Sequence, residues 1–416
     1  MVNIAILGYG VVGSGVLEII KKNGAGISKK TGKEVRVKKI LDIRDLSDSP
    51  ERGIITSDSM EIMEDPKIDL VVETIGGIGA AYHLTSEALS RGKHVVTSNK
   101  ELVATHGPEL LELAKQNDVN YLFEASVGGG IPVIRPLNRC LAANEIYSIT
   151  GILNGTTNYI LSRMQKEGRD FADALKEAQE KGYAEADPTA DIEGHDACRK
   201  IAILSSIAFG EFIDYNNIYT EGISKISSSD ILYAQSMGAT IKLVAISKKT
   251  GGRIWARVSP AIVKKGNPLF GVEDVFNAVV IEGDAIGEVM FYGRGAGKLP
   301  TASAVVADMI DIITHHGNFG EYNWCTKERD SIASSDGDRV RYFVRLEAEN
   351  KVEVQKTVGE VFGSIKWLES SNACTKGELA FVTEKAEEKE HTKSFEAIKE
   401  NPYVKRLANT IRILDK

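Results

Sequence analysis

Between Gly182 and Lys200 the chain reads Gly-Tyr-Ala-Glu-Ala-Asp-Pro-Thr-Ala-Asp-Ile-Glu-Gly-His-Asp-Ala-Cys-Arg-Lys. The acids Glu185, Asp187, Asp191, Glu193 and Asp196 crowd into this stretch ahead of a helical pattern. Asp196 and Lys200 are four apart, so they share one helical face beside the apolar stripe Ala197, Ile201, Leu204 and Ala208. Carboxylates next to a lysine suit a zwitterionic substrate: the acids hold an ammonium group while the lysine polarises an oxygen. Taken alone, the same pair also reads as a solvated i,i+4 ion pair. A calcium loop fits poorly, because the sixth position counted from Asp187 is not glycine.

A second constellation is Gly8-Tyr-Gly10-Val-Val-Gly13, which follows the apolar run Ile4–Leu7 and opens a helical pattern. In that setting the first glycine permits a tight turn, the second lets backbone approach a pyrophosphate, and the third packs helix on strand. The helix N-terminus then faces the phosphates. The motif predicts a dinucleotide site. Asp42, at the end of the second apolar run, suits a ribose 2′-hydroxyl and therefore NAD; Arg44 suits a 2′-phosphate and therefore NADP. The sequence leaves the two open.

Two further segments stand where chemistry is plausible. Asn99-Lys100 follows the run His94–Thr97, at the carboxyl edge of a parallel sheet, where such folds bind ligands; a surface lysine is the alternative. Phe123-Glu-Ala-Ser-Val-Gly-Gly-Gly-Ile-Pro132 is a glycine-rich turn able to present backbone carbonyls to a hard cation, or simply to act as a hinge. Gly293-Arg-Gly-Ala-Gly-Lys-Leu-Pro300 has the composition of a phosphate loop without its Gly-Lys-Ser/Thr ending. His195 beside Asp196 comes with no nucleophile pattern.

These residues need a scaffold, and its periodicities are readable. Up to about residue 135, the runs Ile4–Leu7, Val35–Leu41, Leu70–Thr74, His94–Thr97 and Tyr121–Glu124 alternate with the helical stretches Val12–Lys22, Ala81–Arg91 and Glu109–Gln116. That alternation predicts an α/β fold with a Rossmann-type, doubly wound parallel sheet. Gly24–Lys33 reads as a polar loop. Residues 136–295 carry strands (Tyr147–Leu153, Ile254–Val263, Val279–Glu282) apart from helices (Thr157–Glu167, Phe171–Lys181, Asp196–Phe209), an α+β pattern. Pro300–Thr314 reads as an amphipathic helix returning to the first domain, which therefore comprises 1–135 plus about 296–330. From 338 to 416 the order β-α-β-β-α-β predicts a ferredoxin-like third domain.

Composition narrows the function classes. The chain has 416 residues, 43% hydrophobic and 26% charged, with net charge −7, which gives no electrostatic case for nucleic acid. No apolar run approaches the ~18 residues a membrane span requires. Cys140, Cys198, Cys325 and Cys374 are scattered, which argues against a disulfide framework or a zinc site. Met1–Leu7 runs into the glycine turn without a charged leader, and the expectation is a cytoplasmic protein with reduced thiols.

Taken together, residues 1 to about 325 resemble homoserine dehydrogenases. The resemblance rests on Gly8–Gly13, Ser98-Asn-Lys100, Phe123–Pro132, Gly151-Ile-Leu-Asn-Gly-Thr-Thr-Asn-Tyr159, Gly182–Lys200 and Gly293–Ser303, in family order. It implies NAD(P)-dependent interconversion of L-homoserine and L-aspartate 4-semialdehyde in threonine and methionine biosynthesis. By match to the family's motifs, Lys200 is the proton donor to the aldehyde oxygen, with Lys100 as second acid/base or cofactor contact. Glu185, Asp191 and Asp196 match substrate-holding acids. Gly8, Gly10, Val11, Val12, Gly13, Arg44, Thr74, Lys100, Gly182 and Gly297 match the cofactor site. Glu124, Val127, Gly129 and Ile131 match a sodium site built largely of backbone oxygens.

The resemblance also implies that 136–295 both binds substrate and dimerises, and that the protein is a homodimer or homotetramer. The third domain resembles an ACT regulatory module. Its first loop, Asn350-Lys-Val-Glu-Val-Gln355, lacks the proline and glycine with which that module meets an amino-acid effector. The competing reading from another class is a non-catalytic redox sensor, which would have no reason to keep the acid-plus-lysine segment.

Overall fold

The computed structural model describes residues 1–315, 322, 324, 332–369 and 377–415. Cys325, Cys374 and Ser370, the last residue of a strand that the sequence predicts over 365–370, lie outside them. By contact density the chain divides into two compact units. One comprises Met1–Ile149, Arg199–Asn217 and Ile281–Ser331; the other comprises Thr150–Cys198, Ile218–Val280 and Ile332–Lys416.

In the first unit the expected alternation is present. Strands β1 (Val2–Leu7), β2 (Val35–Leu41), β3 (Ile55–Thr56), β4 (Leu70–Glu73), β5 (His94–Thr97) and β6 (Tyr121–Leu122) form a parallel sheet ordered β3-β2-β1-β4-β5-β6. This is the dinucleotide-binding order, and its reversal between β1 and β4 opens a crevice at the carboxyl ends. Helices α1 (Val11–Thr31), α2 (Met60–Met63), α3 (Gly79–Ser90) and α4 (Lys100–Gln116) join the strands.

The polar-loop reading of Gly24–Lys33 is corrected. Helix α1 runs unbroken through it to Thr31 and ends on Gly32, whose φ of 67° is left-handed. Two interior glycines each cost a helix only ~1 kcal/mol, and Ile20 and Ile27, buried in the core, keep the stripe in register across them.

The second unit contains α5 (Gly155–Glu167), α6 (Phe171–Glu180), α7 (Thr189–Ile192) and the start of α8 (His195–Phe209). The strands along the rest of the chain are β7 (Ile146–Ile152), β8 (Tyr219–Thr220), β9 (Ala239–Thr250), β10 (Arg253–Lys264), β11 (Phe276–Gly283) and β12 (Gly287–Arg294). Helix α9 (Ser228–Ser236) precedes β9. Hairpin β9–β10 pairs over twelve residues on each strand. β9 escaped the sequence reading because it is buried on both faces and carries no alternation.

Helix α10 (Lys298–Thr314) packs Ala302, Val305, Val306, Met309 and Ile313 into the same core as Val16, Leu17 and Ile20 of α1, so the expected return to the first domain is observed.

The C-terminal segment folds as β13 (Arg339–Ala348), α11 (Lys351–Phe362), β14 (Ile365–Trp367), β15 (Glu378–Thr383), β16 (Ala386–Glu387), α12 (Glu388–Lys399) and β17 (Val404–Leu414). Its main strands lie in the order β17-β13-β15-β14, all antiparallel, which is the ferredoxin-like arrangement. An isolated sheet of this kind would expose β17 as an edge. Here β17 pairs in parallel with β10, through Ala261–Arg412, Ile262–Ile413 and Val263–Leu414.

Buried charges tie the same strands. Glu388 accepts from Arg257, Arg412 and the Tyr342 hydroxyl, and Arg345 donates to Asp230, Glu378 and Ser227. Among the described residues, no helix is long and apolar enough to cross a membrane.

Candidate functional site

In the first unit the glycine loop leaves β1 and enters α1 as the motif requires. Gly8 has φ of 92°, and a Cβ there would stand 2.8 Å from the Thr74 carbonyl oxygen. The Thr74 hydroxyl donates to the carbonyls of Leu7 (3.0 Å) and Gly8 (2.8 Å), so Thr74 pins the turn from below. Gly10 is the N-cap of α1 and brings no side-chain cap, and around its Cβ position there is open space. The helix N-terminus thus presents backbone amides toward an anion site. Val12 is half-buried, and Val11, apolar yet 66% exposed, flanks that end.

The acidic and basic candidates at the end of β2 are one ion pair. Arg44 Nε donates to Asp42 Oδ1 (2.9 Å), and Nη2 donates to Oδ2 (2.7 Å). The Tyr9 and Arg44 amides donate to the same carboxylate at 2.8 and 3.0 Å. The Arg44 hydrogen bond, outweighing burial, holds the Asp42 carboxyl well below the usual range. Gly8, Tyr9, Asp42, Arg44 and Thr74 therefore meet at the ends of β1, β2 and β4.

Lys100 opens α4 just past β5. Its placement rests on a hydrogen-bonded chain the sequence reading missed. Glu73, fully buried, accepts from the Ile75 amide (2.7 Å) and the Thr97 hydroxyl (2.5 Å). Thr97 Oγ1 accepts from the Asn99 amide, and Asn99 Oδ1 caps α4 by accepting from Leu102 (3.1 Å). Burial raises the Glu73 pKa. Glu101 pairs with Arg199 at 3.3 Å, which links the residue after Lys100 to the residue before Lys200. Lys200 lies on α8, only 8% exposed.

Around Glu124 the chain forms a closed turn. Glu124, 2% exposed, accepts backbone N–H bonds from Val133 and Ile134 on Oε1 (2.6 and 2.8 Å) and from Arg135 on Oε2 (2.7 Å). Gly129 has φ of 58°, and a Cβ there would meet the Gly295 carbonyl at 2.3 Å. This contact brings the turn holding Val127, Gly129 and Ile131 against the segment that leads to Gly297, the N-cap of α10. Asp308, also buried, accepts from the Glu124 amide (2.8 Å) and from Arg135. Burial, reinforced by the Glu124 charge, raises its pKa to about 7. Among the described residues no group of three or more His, Cys, Asp or Glu side chains is gathered to hold a metal ion, so a cation here depends on backbone oxygens.

In the second unit the acid-rich segment is resolved into distinct parts. Asp196, 5% exposed, lies in the first turn of α8, and Asp191 lies on α7. The Asn154 amide donates to Asp191 Oδ1 (2.7 Å) and to Asp196 Oδ2 (2.9 Å). Glu185 is exposed and takes no part in those bonds; its backbone carbonyl accepts from Gln179 (3.0 Å). Gly182 is exposed, with φ of 70°, just past α6. Asp187 turns its carboxylate back onto the Thr189 amide and hydroxyl, a local cap.

Two residues of this region have partners that sequence spacing does not show. Asn154 belongs to the Gly151–Tyr159 run that carries the resemblance, with no role of its own assigned there. Lys242, interior to β9, donates to Asn158 Oδ1 (3.0 Å) and the Val272 carbonyl (2.5 Å), and burial lowers its pKa to about 8.

Comparison with known proteins places this geometry in context. A family model described as "Homoserine dehydrogenase" matches residues 132–310, and another, "Homoserine dehydrogenase, NAD binding domain", matches 8–124. A homoserine dehydrogenase of Corynebacterium glutamicum is 40% identical over 429 residues, covering 99% of this chain and 95% of the relative. The crystal structure of a homoserine dehydrogenase from Thiobacillus denitrificans superposes with a TM-score of 0.90 at 37% identity, covering 100% and 98% of the two chains. A hyperthermophilic archaeal homoserine dehydrogenase in complex with NADPH superposes with a TM-score of 0.62 at 32% identity, covering 74% of this chain and 97% of that one.

Proposed function

Because the chain belongs to the homoserine dehydrogenase family, NAD(P)-dependent oxidoreductases that interconvert L-homoserine and L-aspartate 4-semialdehyde, we propose that Lys200 is the proton donor and acceptor at the substrate oxygen. The reaction belongs to the biosynthesis of threonine and methionine from aspartate. The observation that carries the assignment is the buried face of α8, where Asp196 and Lys200 stand one turn apart. The carboxylates of Asp196 and Asp191, with Glu185 beyond them, hold the substrate ammonium, which leaves the four-carbon chain to reach the lysine.

Bound NAD(P)H supplies the hydride for aldehyde reduction. Lys200 gives its proton to the oxygen as the carbonyl becomes an alcohol and takes it back in the reverse direction. Lys100 is the second acid/base or a contact to the cofactor. Gly8, Gly10, Val11, Val12, Gly13 and Thr74 form the cradle for the pyrophosphate, with Gly182 and Gly297 toward the nicotinamide. Purified protein is expected to turn over L-homoserine in a nicotinamide absorbance assay. Cofactor binding without turnover, with either NAD or NADP, would overturn the assignment in favour of a sensor.

A sodium ion at Glu124, Val127, Gly129 and Ile131 fits the residues present. Three backbone amides occupy the Glu124 carboxylate, which leaves about one of its four lone-pair sites for a cation. The tight turn supplies carbonyl oxygens, the donor type a hard cation takes. Bound there, the ion would reinforce the turn that the Gly130 amide already holds to the Arg294 carbonyl (3.1 Å).

Cofactor choice rests on the Asp42–Arg44 pair. Arg44→Ala is expected to raise the Kd of NADP on the order of tenfold or more, as for loss of a charge-assisted bond, and to leave NAD little changed. With the guanidinium gone, the Asp42 charge also faces the 2′-phosphate. Equal losses for both cofactors, by fluorescence titration, would show that Arg44 does not read the phosphate.

The protein acts in the cytoplasm as a homodimer or homotetramer, with residues 338–416 as an ACT-like module whose effector loop is altered. Asn350 Oδ1 accepts from the Val352 and Glu353 amides (3.2 and 3.4 Å), the donors that a bound amino-acid carboxylate would need. The expected result is that millimolar L-threonine leaves the rate unchanged. Strong inhibition by submillimolar threonine would overturn it.

A further inference from the structure

We propose that Asn154 is a positioning residue that sets the spacing of the two acids holding the substrate ammonium; the inference rests on the assignment of Asp191 and Asp196 to that task. Asn154 sits in extended conformation immediately before α5 and is 5% exposed. Its oxygen faces the helix: Oδ1 accepts from the Thr157 amide (2.9 Å) and the Thr157 hydroxyl (3.0 Å). Its amide nitrogen faces the other way, toward Asp191 Oδ1 at 2.7 Å and Asp196 Oδ2 at 2.9 Å. The chemistry fixes this orientation, since two donors call for the oxygen and two carboxylates call for the NH2 group.

One neutral group thus serves two purposes. It caps α5, and it holds one oxygen from each of two carboxylates whose like charges would otherwise push them apart. The acids come from different elements, Asp191 from the four-residue α7 and Asp196 from the first turn of α8, with Glu193 and Gly194 between. A shared NH2 group converts that jointed segment into a fixed pair of anions. A substrate ammonium then meets carboxylates already placed, with little to reorganise.

Two substitutions separate the purposes. Asn154→Ser keeps a good cap and adds no charge, yet has no donor pair for the acids. Asn154→Asp keeps the cap acceptor and sets a third carboxylate against the other two. For the serine variant, the KM for L-homoserine is expected to rise on the order of tenfold, with the Kd of NADP and the melting temperature close to wild type.

The aspartate variant is expected to lose more at mildly alkaline pH. Its kcat/KM relative to wild type should climb as pH falls, because a protonated Asp can again donate one hydrogen bond while a merely structural lesion would give a flat ratio. Wild-type turnover of homoserine tests the underlying assignment separately. Should the wild type be active while the serine variant binds homoserine equally well, or the aspartate variant show a flat pH ratio, the inference is overturned and the assignment stands.

Discussion

Lys200→Ala is expected to lower kcat by ~10²–10⁴, the loss that follows removal of a positioned acid–base group, in both reaction directions. The Kd of NADP should stay near wild type, because the phosphate cradle lies at the β1–α1 turn and Lys200 is not part of it. The KM for homoserine should change far less than kcat, since Asp191 and Asp196, the acids proposed to hold the ammonium, stay joined through Asn154. This split is what distinguishes a lost proton donor from a lost binding group.

Lys200→Arg is not expected to restore the rate. A guanidinium remains protonated throughout the working pH range, so it cannot accept the alcohol proton in the oxidative direction, and its planar shape does not overlay an ammonium. Wild-type kcat in the alanine variant, measured with saturating substrate and cofactor, would remove Lys200 from the mechanism and leave Lys100 as the remaining lysine to test.

Much of the scaffold behind that lysine could be read before any coordinates, and the reasons are local. β2 and β5 appear at the expected residues because their apolar, largely β-branched positions are bounded by polar or turn-forming ones. The glycine motif could be trusted because strand, turn and helix followed one another in order. Where local pattern and tertiary context part company, the reading failed. Gly24–Lys33 has the composition of a loop, but burial of Ile27 holds it in α1.

The candidate site divides in the same way. Residue types and spacing mark Asp196 and Lys200 as candidates, which the family resemblance then raises above a solvated ion pair, whereas Asn154, Glu73 and Lys242 have partners tens of residues away, which sequence spacing does not show. Asp42 and Arg44 were visible as alternatives, and their mutual pairing was not. The capture of β17 by β10 is of the same non-local kind.

That capture leads to the second large expected effect, which concerns stability. Glu388→Gln should destabilise the protein by ~3–5 kcal/mol, the range for breaking a buried ion pair by neutralising one partner. Glu388 is 6% exposed and serves Arg257 (4% exposed) on β10 and Arg412 (8% exposed) on β17. Arg257 Nη1 donates to Oε2 at 3.0 Å, and Arg412 Nε donates to Oε1 at 2.8 Å, the oxygen that also accepts from Tyr342. A neutral amide leaves two buried guanidinium groups facing one another. Their remaining acids are Asp338, 4.0 Å from Arg257, and the more exposed Glu221, 3.3 Å from Arg412.

The pH dependence identifies the cause. Burial opposes ionisation of Glu388, and the Arg412 hydrogen bond and the charges of both arginines outweigh it, so the carboxyl titrates below its ordinary value. A depressed folded pKa means stability that is fully present above the unfolded value of ~4.3 and is lost as pH falls through the folded one. Urea midpoints of wild type and Glu388→Gln should therefore differ by a constant amount at neutral pH and converge below about pH 4. A constant difference carried down through that range would mean that the substitution acts through packing, and the ion cluster would then not be what holds β17 against β10.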